Sequence, residues 1–177
     1  MTPKGLVYEL DFLSPEEERA LVEHIKGLPL EEAKYKAYTA RRRTVSYGYE
    51  YDFDHLKMHP APPMPTFLSQ LKEKVGDQTG ISADAFVHAL VTEYRPGVEL
   101  GWHRDVPEFE VVVGISLAGP ARMRFRPYPP KKGQKTFALD LEPRSLYILR
   151  DEIRWGWQHS VSPTPALRYS VTFRTRR

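Results

Sequence analysis

The chain has no cysteine anywhere in its 177 residues. That excludes disulfides and every cysteine-based zinc or iron–sulfur centre, so a bound metal must take its ligands from histidine, aspartate or glutamate. A thiol-free chain suits a reducing interior, and a cytoplasmic location is expected. Long apolar runs are missing too. No segment approaches the roughly 18 residues that a membrane span needs, and the N-terminal residues lack a secretory pattern, so no membrane attachment is expected. The net charge of +3 is too small to imply a polyanionic partner by itself. Internal repeats and low-complexity tracts are also absent.

What is present is ordinary for a water-soluble globular domain: hydrophobic residues make up 41% and charged residues 28%. The length suits one domain with a real core, expected over residues 1–177, and a monomer. Arginine is unevenly spread. Arg41, Arg42 and Arg43 form one group, Arg122, Arg124 and Arg126 alternate in a second, and Arg174, Arg176 and Arg177 make a third. Such clusters serve either as a phosphate footprint or as a solubilising surface, and charge alone leaves both open.

Local signals place two helices near the start. Ser14-Pro15-Glu16-Glu17 combines an N-cap, a first-turn proline and a capping-box glutamate. Leu21, Val22, Ile25 and Leu28 follow at helical spacing, and Gly27 with Pro29 supplies a stop. A second helix is predicted from about Pro65 to Val75, with Phe67, Leu68, Leu71 and Val75 on one face. Between them Tyr47 to Phe53 alternates as a strand or hairpin, and Pro60, Pro62, Pro63 and Pro65 stiffen the connection. From residue 86 onward short strand-like runs are separated by Pro96-Gly97, Gly119-Pro120, Pro129-Pro130 and Gly133. This pattern predicts an α+β domain with a sandwich or jelly-roll core and helices packed on one sheet.

Three segments carry chemistry. In Trp102-His103-Arg104-Asp105, residues two apart on an extended chain point the same way, so His103 and Asp105 can face one point. His159 lies near the end of a later predicted strand. Two histidines and one carboxylate are the ligands of a non-haem Fe(II) site with open positions, although His-x-Asp alone also fits a solvated turn. In the last predicted strand, Arg168, Ser170, Thr172 and Arg174 alternate with Tyr169, Val171 and Phe173. Its polar face either lies in water or holds two guanidiniums inside the sheet, where a dicarboxylic acid is a natural partner.

Together with Leu90-Val91-Thr92-Glu93-Tyr94-Arg95-Pro96-Gly97, these segments resemble the AlkB family of Fe(II)- and 2-oxoglutarate-dependent dioxygenases. The resemblance is firm over residues 86–174 and looser before them. It implies a double-stranded β-helix (jelly roll) whose N-terminal helices buttress one sheet. It also implies that His103, Asp105 and His159 hold Fe(II), and that Arg168 pairs with the far carboxylate of 2-oxoglutarate, helped by Tyr94. Arg174 would lie by the keto-acid end and Asp105, while Thr92 and Ser170 occupy co-substrate slots where asparagine is usual. The implied activity, with O2, is hydroxylation of an N-alkyl carbon on a nucleic-acid base, releasing an aldehyde and restoring the base. One departure concerns the substrate: repair members often carry an acid just after the metal aspartate, whereas here Val106-Pro107 follow and the first acids are Glu108 and Glu110.

Chemistry on a base requires single-stranded DNA or RNA, or a base flipped out of a duplex. A pocket for it needs flat faces and nearby cations. Residues 35–65 occupy the place of the family's nucleotide-recognition lid. Arg41, Arg42 and Arg43 with Tyr47, Tyr49 and Tyr51 are the candidate substrate contacts there, joined by Trp102 and Glu108 from the core. Tyrosines that merely pack a hairpin are the plainer alternative. Two other functions compete: the same oxidation on a protein or lipid, and a catalytically silent nucleic-acid binder. His88 shares strand parity with Thr92 and Tyr94, which allows either an approach to the site or a satisfied core histidine.

Overall fold

The computed structural model describes residues 2–35 and 38–177; residues 36 and 37 of the expected lid lie outside them. In chain order the elements are β1 (Leu6–Glu9), α1 (Pro15–Lys26), β2 (Glu31–Tyr35), β3 (Tyr38–Tyr47), β4 (Tyr49–Asp52), β5 (Lys57–Pro60) and α2 (Thr66–Thr79). After a 3-10 turn (Ala83–Ala85) come β6 (Phe86–Tyr94), β7 (Leu100–His103), β8 (Phe109–Leu117), β9 (Ala121–Pro127), β10 (Phe137–Leu141) and β11 (Ser145–Leu149). The chain ends with α3 (Asp151–Trp155), β12 (Trp157–Val161) and β13 (Arg168–Arg176). No helix is long and apolar enough to cross a membrane.

The strands form a jelly roll. A seven-stranded sheet runs β1-β11-β8-β13-β6-β3-β2 and faces a four-stranded sheet, β10-β9-β12-β7; β4 and β5 make a separate hairpin. Period-two alternation gives each strand of the large sheet two different faces. Ala89, Val91, Val113, Ile115, Val171 and Phe173 pack against Leu21 and Ile25 of α1 and Leu68, Leu71 and Val75 of α2. Val112, Met123, Phe125, Leu141, Leu149 and Val161 form a second core cluster that includes residues of the small sheet. The helices therefore buttress one face and leave the other free to carry a site.

The capping box at Ser14 and Glu17 forms as its sequence predicts, each residue bonding the other's backbone N–H. The segment from Tyr47 to Phe53, expected as a strand or hairpin, divides between the end of β3 and the first strand of the β4–β5 hairpin. Gly48, at φ +81°, separates β3 from β4, and a Cβ there would lie 2.1 Å from the Val87 carbonyl oxygen. Only glycine fits, and the turn breaks the parity that would have put Tyr47, Tyr49 and Tyr51 on one face.

Candidate active site

Antiparallel partners point to the same side of a sheet, so register decides what the pocket contains. β13 and β6 pair Arg168 with Tyr94, Ser170 with Thr92, Thr172 with Leu90 and Arg174 with His88. All eight line one cavity of about 400 Å³ between the sheets. Thr44 and Ser46 of β3 extend the same wall, because they pair with Thr92 and Leu90.

At one end of this cavity, β12 and β7 place His159 opposite His103, and Asp105 follows just beyond β7. One ligand atom from each of the three lies within 4.8 Å of the others. Both imidazole Nε2 atoms are 3.7 Å from Asp105 Oδ1. The His103 Nδ1–H donates to the Gly101 carbonyl at 2.8 Å, which leaves Nε2 as a lone pair aimed at the common point. Burial alone would raise the Asp105 carboxyl, but the Arg174 guanidinium holds it well below the usual carboxylate range. Burial, and then the neighbouring His103, lowers His159 to about 3; burial lowers His103 as well, against the pull of Asp105. Two neutral imidazoles and one carboxylate are the protonation states a divalent iron needs, so the donor set fits Fe(II).

Two further arginines fix this end. Arg174 Nε donates to Asp105 Oδ2, and its Nη1 lies 3.3 Å from His88 Nδ1. Burial, and then Arg174, lowers His88 to about 3, so it stays neutral and accepts the bond while its ring stacks on Phe109 at 4.8 Å. Arg154 Nη2 donates to the carbonyls of Val106 and Phe109 at 2.9 and 2.6 Å. It thereby clamps the loop that leaves Asp105.

The opposite end belongs to Arg168, which is 1% exposed. Its Nε donates to Ser116 Oγ at 2.9 Å, its guanidinium sits 4.9 Å from the centre of the Tyr94 ring, and no carboxylate among the described residues pairs with it. A buried, uncompensated guanidinium facing a cavity is a receptor for a carboxylate. The space between Arg168 and the triad, lined by the hydroxyls of Thr92, Ser170 and Thr172, fits an acyclic dicarboxylate such as 2-oxoglutarate.

Sequence reasoning missed Tyr147. Its phenol enters the cavity from β11, and burial pushes it up to about 12, so it is a proton donor at neutral pH. Gly114, its cross-strand partner, makes room: a Cβ there would lie 2.1 Å from Tyr147 Cζ. Ser145–Leu149 is buried along its whole length, so no alternation marked Tyr147. The Gly114–Tyr147 pairing was the only available signal.

The mouth corrects several expectations. Consecutive strand residues alternate faces, so Arg41, Arg42 and Arg43 cannot act together. Arg42, Tyr51 and Phe53 line the cavity. Arg43 turns to the helix side and forms a bidentate pair with Glu93, both bonds 2.7 Å. Arg41 reaches the Gly97 carbonyl at 3.2 Å. Tyr47 is buried in the helix-side core and does not line the cavity. Tyr49 lies under Arg176, 5.4 Å from ring centre to guanidinium carbon, and does not line the cavity. Trp102 borders the cavity, but Arg124 and Arg126 stack over its ring at 5.0 and 4.5 Å. Glu108 is not part of the wall; one of its carboxylate oxygens is buried with no hydrogen-bond partner among the described residues.

Comparison with known proteins agrees with this geometry. A sequence profile of the 2OG-Fe(II) oxygenase superfamily matches residues 5–174. The chain is 30% identical over 165 residues to Uncharacterized protein L905 of Acanthamoeba polyphaga mimivirus, covering 86% of this chain and 70% of that protein. It is 29% identical over 180 residues to the Alkylated DNA repair protein ALKBH8 homolog of Arabidopsis thaliana, covering 89% of this chain. The chain spans 50% of that relative's length. Among solved structures, OsALKBH1 superposes with a TM-score of 0.76 at 17% identity, covering 99% of this chain and 100% of the other, a likeness of fold alone.

Proposed function

The chain belongs to the 2OG-Fe(II) oxygenase superfamily, in its AlkB-like branch, and from that premise we propose that it removes alkyl groups from nucleic-acid bases by oxidation. Fe(II), with 2-oxoglutarate and O2, would supply the oxidation that converts a substrate C–H bond to C–OH, with succinate and CO2 as the other products. On an N-alkyl carbon the product is a hemiaminal, which breaks into an aldehyde and the free base nitrogen.

The protein's own residues do the rest. His103, Asp105 and His159 would hold the metal, with Asp105 kept ionised by Arg174. Arg168 would neutralise the distal carboxylate, with Tyr94 packed on its guanidinium and the Tyr147 hydroxyl in the same cavity. Arg154 keeps the loop beyond Asp105 from relaxing. Tyr51 and Phe53, ring centres 4.9 Å apart, offer flat apolar surface at the mouth for an extruded base, and Arg42 adds a cation to the same wall.

The observation that carries this reading is the continuity of one cavity from the lone guanidinium of Arg168, past the triad, to an aromatic hairpin. Mass spectrometry of alkylated single-stranded DNA and RNA oligonucleotides, incubated with Fe(II), 2-oxoglutarate and ascorbate, tests it. Loss of the alkyl group with matching succinate, absent in Asp105→Ala, is the expected result. Succinate that rises only with protein or lipid substrates would move the activity to another substrate class.

A further inference from the structure

The outer face of the four-stranded sheet carries a basic track that the reaction centre does not use. On β9, Ala121, Met123 and Phe125 are buried, so period two turns Arg122, Arg124 and Arg126 outward, roughly 7 Å apart. Their surroundings are largely neutral. Arg124 Nε donates to Ser160 Oγ at 3.2 Å and Arg126 Nε to Gln158 Oε1 at 2.8 Å, and both guanidiniums rest on Trp102. Among the described residues, their terminal nitrogens have no other hydrogen-bond partner. Arg104 lies 3.7 Å from the centre of the Tyr128 ring and donates to the Trp155 carbonyl. Among the described residues, only Arg122 of this track forms an ion pair, with Asp140 at 3.8 Å and both side chains well exposed. The turn after β9 adds the exposed Lys131, Lys132 and Lys135.

Arginines that only solubilise a surface are mobile and commonly face carboxylates. Here Arg124 and Arg126 are held flat by neutral acceptors and by an indole ring, with their charge left uncancelled. Such a row is complementary to a chain of phosphates. Its position gives it a direction, because Trp102 and Arg104 also border the cavity and the track begins at the mouth.

We propose that this face is a second nucleic-acid contact, binding the phosphates of the single strand that flanks the nucleotide in the pocket. The proposal rests on the dealkylation reading for the identity of that nucleotide, but it concerns a surface outside the pocket. The test uses the full chain, an unmodified single-stranded oligonucleotide of about 12 nucleotides, and fluorescence anisotropy over a range of salt. R124Q/R126Q removes two charges, and K131E/K132E changes only exposed turn residues. The expected result is binding roughly 10-fold weaker in each, with a log K against log salt slope shallower by about 1.4 in R124Q/R126Q, at about 0.7 per lost phosphate contact. Dealkylation of an alkylated oligonucleotide should fall in step, while that of the alkylated mononucleoside stays at the wild-type rate.

Unchanged affinity and slope in both variants would overturn the surface and leave the dealkylation reading standing. Weakened oligonucleotide binding in a protein that dealkylates nothing would support the surface and remove that reading. Loss confined to phosphatidylserine vesicles, with oligonucleotide binding intact, would also overturn it.

Discussion

The inner end of the pocket rests on β6 and β13, each hydrogen-bonded to a strand on both sides, whereas the mouth is walled by the β4–β5 hairpin, which pairs with no other strand among the described residues. At the inner end three functional groups have a second support: Arg174 holds Asp105, Ser116 holds Arg168, and the Gly101 carbonyl orients His103. At the mouth Tyr51 leans on Phe53, itself 38% exposed. The difference separates two tasks. Oxidation needs a metal and a co-substrate fixed to fractions of an ångström, while a lesion-bearing base varies in size and calls for a wall that can adjust.

The largest break in that comparison comes from Asp105→Asn. It takes away a metal ligand and leaves Arg174 buried beside neutral groups. Succinate formation should fall below detection, Mn(II) binding by calorimetry should be lost, and the metal-free fold should lose about 3–5 kcal/mol in urea denaturation. Retained metal binding would mean that the two histidines suffice. Arg168→Met should separate function from stability at the other end. The KM for 2-oxoglutarate rises roughly 100-fold, in line with about 2–5 kcal/mol for truncating one partner of a buried charge pair. Yet the metal-free protein should be no less stable, because an uncompensated guanidinium leaves the core.

These two ends are also where the sequence was most legible. His103, Asp105 and His159 were open to two readings by spacing alone and became a ligand set through the family resemblance, which the strict polar–apolar alternation of β13 strengthened. The β13 signal survives because a strand buried on two unlike faces tolerates no slip of register. The mouth was less legible for an equally physical reason. Tyr47, Tyr49 and Tyr51 alternate as if on one strand, but Gly48 turns the chain and sends Tyr47 into the helix-side core. Arg41, Arg42 and Arg43 looked like one cluster, yet adjacent strand residues must part. Tyr147 was invisible because a uniformly buried strand offers no pattern, and its place depends on Gly114 across the sheet.

Gly114→Ala sharpens the contrast by testing how far the inner wall can yield. Its new Cβ would overlap the Tyr147 ring, and moving a packed aromatic should destabilise the fold by about 1–3 kcal/mol and raise the KM for 2-oxoglutarate. Unchanged co-substrate kinetics would show that the phenol is free to retreat. The paired variants Tyr47→Ala and Tyr51→Ala should then diverge. The first removes a buried ring and lowers stability by roughly 3 kcal/mol. The second leaves stability within about 0.5 kcal/mol but weakens oligonucleotide binding about 10-fold, as loss of a stacking surface does. Matching effects from the two would erase the boundary between core and mouth.

The smallest effect is expected from Arg43→Gln, at the boundary itself. Arg43 lies on the same strand as the cavity-lining Arg42, but its guanidinium forks onto Glu93 on the helix side. The Arg43 side chain is 40% exposed and that of Glu93 7%, so solvent screens the pair and about 1 kcal/mol is at stake. Arg43, by hydrogen bond and by charge, holds the Glu93 carboxyl below its ordinary value against the opposing effect of burial. The folded protein therefore keeps Glu93 ionised to lower pH than the unfolded chain does. The pair's stabilisation is complete above the ordinary carboxylate range and is lost as the pH falls through it. The stability gap between wild type and Arg43→Gln should thus be present near neutral pH and close as the pH falls through and below the ordinary carboxylate range. Neither KM should move. A rise in the KM for nucleic acid alone would place the helix-side face of β3 in contact with substrate, and the division between a fixed interior and an adaptable mouth would have to be redrawn along that strand.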